Sequence, residues 1–185
     1  MKVLKSFVIL SVAILGFSMV DVEARSFSDG GNVSQKQLEK KVYKQIIQMQ
    51  YYGVFDNIEF DVEGSTVTLR GKVHNAPNSK SAERRVSKIK GVEKVINNIE
   101  ILPFSSFDDG IRRQTVRAFA RGGSLYGYLQ GVNPSVRIIV DRGNVTLEGY
   151  VRTKSDSRLA EILANGVHGT FSVTNNLETT KEGKF

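Results

Sequence analysis

The segment Val67-Thr68-Leu69-Arg70-Gly71-Lys72-Val73 returns as Val145-Thr146-Leu147-Glu148-Gly149-Tyr150-Val151, 78 residues further along the chain. The ending Gly91…Val95-Ile96-Asn97-Asn98-Ile99-Glu100 returns at the same offset, as Gly169…Val173-Thr174-Asn175-Asn176-Leu177-Glu178. From Gly53 to Glu100 the offset never changes, and about a third of the aligned positions are identical. An ungapped offset over this length is the signature of a duplicated folding unit. The architecture expected is one small domain used twice.

Each unit spans about 70 residues, a size at which folding buries only roughly 60% of the unfolded surface, so two such units gain by leaning on each other. The joint, 103–108, is short and carries Phe104 and Phe107. A freely swinging linker is polar and poor in aromatics, so packing between the units is expected. The chain carries 26 basic and 19 acidic residues, a net charge of +7, which favours anionic partners without choosing among lipid head groups, nucleic acid and acidic proteins.

The N-terminus narrows that choice. Lys2 and Lys5 precede a mostly apolar run from Phe7 to Val20, followed by Val22-Glu23-Ala24. This is the pattern of a secretory signal peptide cut after Ala24. The apolar run is shorter than the roughly 20 residues a membrane span needs. Export to the periplasm is therefore expected. There is no cysteine, so neither a disulfide nor a lipid on an N-terminal cysteine is available, which fits a bacterial envelope better than a disulfide-stapled secreted fold.

Arg25 to Val33 reads as a flexible segment, rich in Ser, Gly and Asp. Ser34 is expected to open a helix, with Gln37 completing a capping box and Leu38, Val42, Ile46 and Met49 forming its apolar face. Phe55–Glu63 and Thr66–Val73 read as strands joined by a Gly turn, with Ile58, Phe60, Val62, Val67, Leu69 and Val73 inward. Pro77 starts a second helix, with Ala82, Val86 and Ile89 on the core side and Arg84, Arg85 and Lys88 facing water. Gly91 ends it, and Val92–Leu102 is a third strand. The second unit repeats the order: a helix capped by Asp109 and running to Arg121, strands over Val136–Val140 and Asn144–Val151, a helix over Asp156–Asn165 and a strand over Phe171–Glu178. A frayed tail, 179–185, follows.

The joint pattern of Ile58…Val62, a Gly turn, Val67-Thr68-Leu69-x-Gly71-x-Val73, an Ala82-bearing helix and Gly91-Val92-x-x-Val95-x-Asn97-Asn98-Ile99, seen again in the second copy, resembles the BON domain over roughly residues 34–178. The resemblance implies an α+β fold of two tandem αββαβ units (domain one 34–102, linker 103–108, domain two 109–178), each a three-stranded mixed sheet covered by two helices. It also implies a non-enzymatic protein of the bacterial envelope that binds phospholipid, in envelope maintenance or stress protection.

Nothing in the residues supports catalysis or a cofactor. His74 and His168, the only histidines, do not correspond between repeats, and no carboxylates are spaced to complete a metal site with them. No Cys is present and no Ser carries a nucleophile signature. Gly30-Gly31 and Gly122-Gly123 lack the lysine of a phosphate loop. Asp61, Glu63, Asp141 and Glu148 read as solvent-facing, and the repeated Asn-Asn and Gly71/Gly149 as structural. The strongest functional candidate is the first helix of the second unit. At 100° per residue, Arg113, Arg117 and Arg121 form one stripe and Ile111, Val116 and Phe119 another, broadly opposite, with Arg112 bordering Phe119 and with Tyr126 and Tyr128 beyond. This composition suits a lipid interface. The partner expected is an anionic phospholipid or membrane surface, contacted peripherally, with an envelope protein as the alternative. Nucleic acid is disfavoured by export and by the lack of a stacking platform.

Overall fold

A computed structural model describes residues 29–179, with side chains from residue 34 onward. The expected leader, residues 25–28 and the tail beyond 179 lie outside the described residues. The first unit runs α1 (Asp29–Ile47), β1 (Asn57–Glu63), β2 (Thr66–Val73), α2 (Pro77–Val86) and β3 (Lys94–Ile101). The second runs α3 (Ser106–Arg121), a 3-10 helix (Gly123–Leu129), β4 (Val136–Asp141), β5 (Asn144–Val151), α4 (Lys154–Asn165) and β6 (Ser172–Thr179). In each sheet the middle strand pairs antiparallel with the first and parallel with the third. Two mixed three-stranded sheets, each with its helices, make the α+β tandem the repeat predicts.

Alternation along the strands explains the cores. Ile58, Val62, Val67, Leu69 and Val73 point to the helices of unit one and are buried with Val42, Ile46, Ala82 and Val86. Val136, Ile138, Val140, Val145, Leu147 and Val151 do the same in unit two. Val67 and Val145 are fully buried, as are Leu69 and Leu147. The repeated glycine has a steric cause. Gly71 and Gly149 sit at φ +110° and +107°, and a Cβ there would lie 2.3 Å from the Asn57 carbonyl oxygen and 2.1 Å from that of Ser135. Only glycine lets the neighbouring strand come so close. The repeated asparagine is structural too. Asn97 Nδ2 donates to the Ser79 carbonyl and hydroxyl and to Glu83, and its Oδ1 accepts from Ile99 N. Asn175 does the same with Ser157, Glu161 and Leu177, tying the last strand to the second helix of each unit.

Two helix starts differ from the expectation. α1 begins at Asp29, inside the stretch read as flexible, so Ser34 lies within the helix and does not cap it. Extending an existing helix by a turn is far easier than nucleating one. α3 is capped by Ser105, not Asp109: Ser105 has extended backbone and its side chain accepts from Asp108 N. Asp109 falls in the first turn, where a carboxylate suits the helix dipole. Asp108 is buried and accepts from Arg142 N and Gly143 N. That holds the β4–β5 turn, in which Arg142 adopts φ +50° where unit one has Gly64.

The units do pack together, but not through the linker aromatics. Phe104 is 91% exposed and Phe107 59%. Instead, the loop between α1 and β1 covers the free edge of β4. Val54 O accepts from Ile138 N at 2.8 Å. The Arg137 guanidinium lies 4.4 Å from the Tyr52 ring centroid and donates to Gly53 O at 2.8 Å. Val54 and Phe55 add apolar contact to the second core, which is why Phe55 falls outside β1. This accounts for the burial of Arg137 and Ile139, which sit on the outer face of β4. Lys72, on the outer face of the first sheet, reaches Asp141 on that of the second at 2.8 Å, and His74 Nε2 lies 3.3 Å from Asp109 Oδ1. Asp141 therefore faces the other unit, not open solvent. Glu148 is also only partly exposed; burial pushes its carboxyl up, against a hydrogen bond from Asn176, and Glu59 of the first unit adds to the rise.

Candidate membrane-facing surface

The solvent side of α3 carries Arg113, Arg117 and Arg121, all exposed. They stand one turn apart, and among the described residues none makes an ion pair. The 3-10 helix that follows presents Tyr126, 43% exposed, beyond the Arg121 end. The three arginines share one face of α3, and Tyr126 is exposed beyond its end.

The other three expected site residues are buried, and each has a structural task. Arg112 is buried. It donates to Asp109 at 2.6 Å and to Val140 O, closing the end of β4 as Gln35 does with Val62 O in the first unit. Phe119 is buried in the second core, because it lies on the side of α3 shared with Ile111 and Thr115. Tyr128 is buried as well: its hydroxyl donates to Asp156 at 2.8 Å and accepts from Arg152 N at 3.1 Å. Burial alone would raise the Asp156 carboxyl, but hydrogen bonds from Tyr128, Thr153 and Ser124 and the charge of Arg152 hold it below the usual carboxylate range. Sequence periodicity on a helix with a wide buried arc does not separate border residues from core, which accounts for Arg112 and Phe119; Tyr128, on the 3-10 helix beyond α3, is buried through its bonds to Asp156 and Arg152.

Three aromatics that sequence reading left out of the site stand in solvent. Phe104 is 91% exposed, Phe171 85% and Phe107 59%. Phe107 opens α3, and its ring lies across the β-turn end of unit two. A Cβ on Gly169 would meet that ring at 3.0 Å, and one on Gly143 would sit 3.5 Å from Phe171 Cβ and 3.6 Å from Phe107 Cε1. Phe107 and Phe171 therefore flank the same glycine, with Phe104 two residues before the start of α3. A signal for Phe171 was present in the repeat, where it takes the place of Glu93. In the first unit Ser65 and Glu93 close this corner with a 2.9 Å hydrogen bond; in the second, Gly143 and Phe171 leave an aromatic surface. Around the axis of α3, at 100° per residue, Phe107 lies about 40° from Arg121 on one side and about 40° from buried Ile111 on the other, at the border between the solvent face and the core.

Among the described residues, no group of His, Asp and Glu is placed to hold a metal ion, and no helix is long and apolar enough to cross a membrane. His74 and His168 stay apart: His74 contacts Asp109 and the edge of Phe55, while His168 is exposed in the turn before β6.

Among solved structures the chain is similar to the C-terminal domain of CdsD, the structural protein of the type III secretion system of Chlamydia trachomatis, at 11% identity and a TM-score of 0.32, covering 80% of this chain and 99% of that one. It is similar to a second CdsD structure from the same organism at 13% identity and a TM-score of 0.29, covering 79% of this chain and 94% of that one. No curated protein matches. The BON domain matches residues 34–103 and again residues 108–181, one match for each sheet with its helices, and the chain belongs to the BON domain family as a tandem of two such domains.

Proposed function

We propose that this is a non-enzymatic, exported envelope protein whose second BON domain rests on an anionic phospholipid surface, in envelope maintenance or stress protection. The observation that carries the reading is the joint exposure of Arg113, Arg117 and Arg121 with Phe104, Phe107, Phe171 and Tyr126 on one unit. Magnitudes decide what each part does. A basic side chain near an anionic surface contributes about 1 kcal/mol, so three supply roughly 3 kcal/mol. That falls short of the roughly 4 kcal/mol of millimolar binding. Removing a Phe side chain from water is worth up to about 1.5–3 kcal/mol. The arginines thus orient the unit on the bilayer, and the phenylalanines hold it there.

A protein partner docked on the same aromatics is the second reading, since exposed apolar patches also mark protein interfaces. Co-sedimentation of residues 25–185 with vesicles separates the two. On the lipid reading, the protein pellets with phosphatidylglycerol vesicles, not with phosphatidylcholine alone, and less as salt is raised. Equal, negligible pelleting with both would move the partner reading ahead.

A further inference from the structure

The first unit carries a cationic feature that neither the fold nor the surface of unit two accounts for. Between α1 and α2 lies a groove of about 570 Å³ lined by Lys41, Gln45, Arg84, Arg85, Lys88 and Ile89. Ile89 is buried, and half-buried Arg85 donates to Gln45 Oε1 at 3.5 Å. Four of the six lining residues are cations and none is an acid. Among the described residues, Lys41, Arg84, Arg85 and Lys88 make no ion pair.

Helix chemistry explains part of this, because basic residues in a last turn offset the dipole, and Arg84 and Arg85 stand in the last turn of α2. The duplicated unit shows that the fold does not require them. At the constant offset, Arg84, Arg85, Lys88 and Ile89 correspond to Ile162, Leu163, Gly166 and Val167. α4 has no basic residue in its last turn and completes the same architecture. There Leu163 closes against α3, its Cδ1 2.6 Å from where a Cβ on Gly122 would be. One copy shuts the helix pair with aliphatic contact, while the other leaves it open and lines it with like charges that repel one another.

We infer that this groove binds a multiply charged, phosphate-bearing group. A single phosphodiester carries one negative charge and would leave three of the four cations unbalanced. Two phosphodiesters balance two of the four, and a pyrophosphate or two phosphomonoesters, at about −1.5 to −2 per phosphate, come close to matching them all. Neighbouring guanidinium groups suit phosphate oxygens, which accept paired N–H donors, and the volume is in the usual range for a small-molecule site. The group could belong to a soluble compound or to a lipid head group with two phosphates. The site is on a different unit from the arginines of α3 and does not rest on their role.

The test uses residues 25–185 with backbone amide NMR, pyrophosphate as the soluble probe and cardiolipin-doped phosphatidylcholine vesicles as the lipid competitor. Pyrophosphate should shift the amides of Lys41, Gln45, Arg84, Arg85 and Lys88 saturably. The double variant Arg84→Gln, Lys88→Gln should weaken binding at least about tenfold, the scale of losing strong charge-assisted contacts, while Arg113→Gln, Arg117→Gln, Arg121→Gln should leave it unchanged. Displacement by cardiolipin vesicles would identify a two-phosphate lipid as the source, and no displacement a soluble ligand. Lys41→Gln, an exposed change on the opposite helix, repeats the test should the double variant fold poorly. No saturable shift, shifts spread evenly over Lys36, Lys40 and Lys44, or wild-type affinity in the groove variants would overturn the inference.

Discussion

At the last turn of α2, Arg84 and Arg85 line an open groove with Lys88 just beyond; at the equivalent positions of the second unit stand Ile162, Leu163 and Gly166. At the opposite corner the exchange runs the other way: Ser65 and Glu93 bond to each other in the first unit, while in the second Gly143 lies between the exposed rings of Phe107 and Phe171. Between these corners the copies coincide in Leu69 and Leu147, Gly71 and Gly149, Asn97 and Asn175. The difference separates what the fold needs from what each copy has been free to change. Those shared positions are buried, sterically forced or hydrogen-bonded across elements. At these two corners, where the copies differ, the units present different chemistry to solvent.

The largest expected effect tests the shared part. Leu69→Ala and Leu147→Ala should each lower unfolding free energy by about 2–5 kcal/mol, since both leave a cavity in a packed core. Denaturant melts should place the two losses close together. A loss confined to one copy would show that the cores are not equivalent.

Next comes the joint. Arg137→Ala removes a buried cation that bonds Gly53 O and stacks on Tyr52. Hydrogen bonds to charged groups are worth about 1.5–3 kcal/mol, so the docking of the α1–β1 loop on β4 should weaken by about that much. Hydrogen exchange should then accelerate at the Ile138 amide, whose acceptor is Val54 O. Unchanged protection would mean the units are held by something else.

A smaller effect, below about 1 kcal/mol for so exposed a pair, sharpens the same joint through pH. The hydrogen bond from Lys72 holds the Asp141 carboxyl below the usual range. Its contribution is therefore present above the ordinary unfolded carboxylate value and lost as pH falls through the lower folded one. The bond to Asp141 likewise raises Lys72, so that half is complete below the unfolded ammonium value and fades as pH rises through the folded one. Asp141→Asn should lessen the acid-side loss of stability in melting curves by up to that amount, with Asp156, also held low, keeping its own share. An identical pH profile would show that the bridge contributes nothing in solution.

What the sequence made legible follows the same division. The two αββαβ units, the inward strand residues and the structural glycines and asparagines could all be read, because a period of two or an unbroken offset records them locally. The site was half legible. Arg113, Arg117 and Arg121 stand exposed where helical spacing puts them, and Tyr126 is exposed beyond them. Arg112, Phe119 and Tyr128 were lost because their burial depends on Val140, the second core and Asp156, all distant in sequence. Phe104 and Phe107 were read as glue between the units, since an apolar linker normally packs. Here the edge of β4 was already taken by Tyr52, Gly53, Val54 and Phe55, leaving those rings in solvent.

The central proposal is that unit two rests on a phosphatidylglycerol surface, whose head groups carry single phosphates, through its exposed arginines and aromatics. Amide NMR of residues 25–185 with phosphatidylglycerol nanodiscs carrying a spin-labelled lipid measures this directly. Broadening should concentrate at Phe104, Phe107, Phe171 and Tyr126 and along Arg113, Arg117 and Arg121, and should fall when Phe107 and Phe171 are both changed to Ser. Broadening centred on the first unit, or none at any residue, would contradict the account.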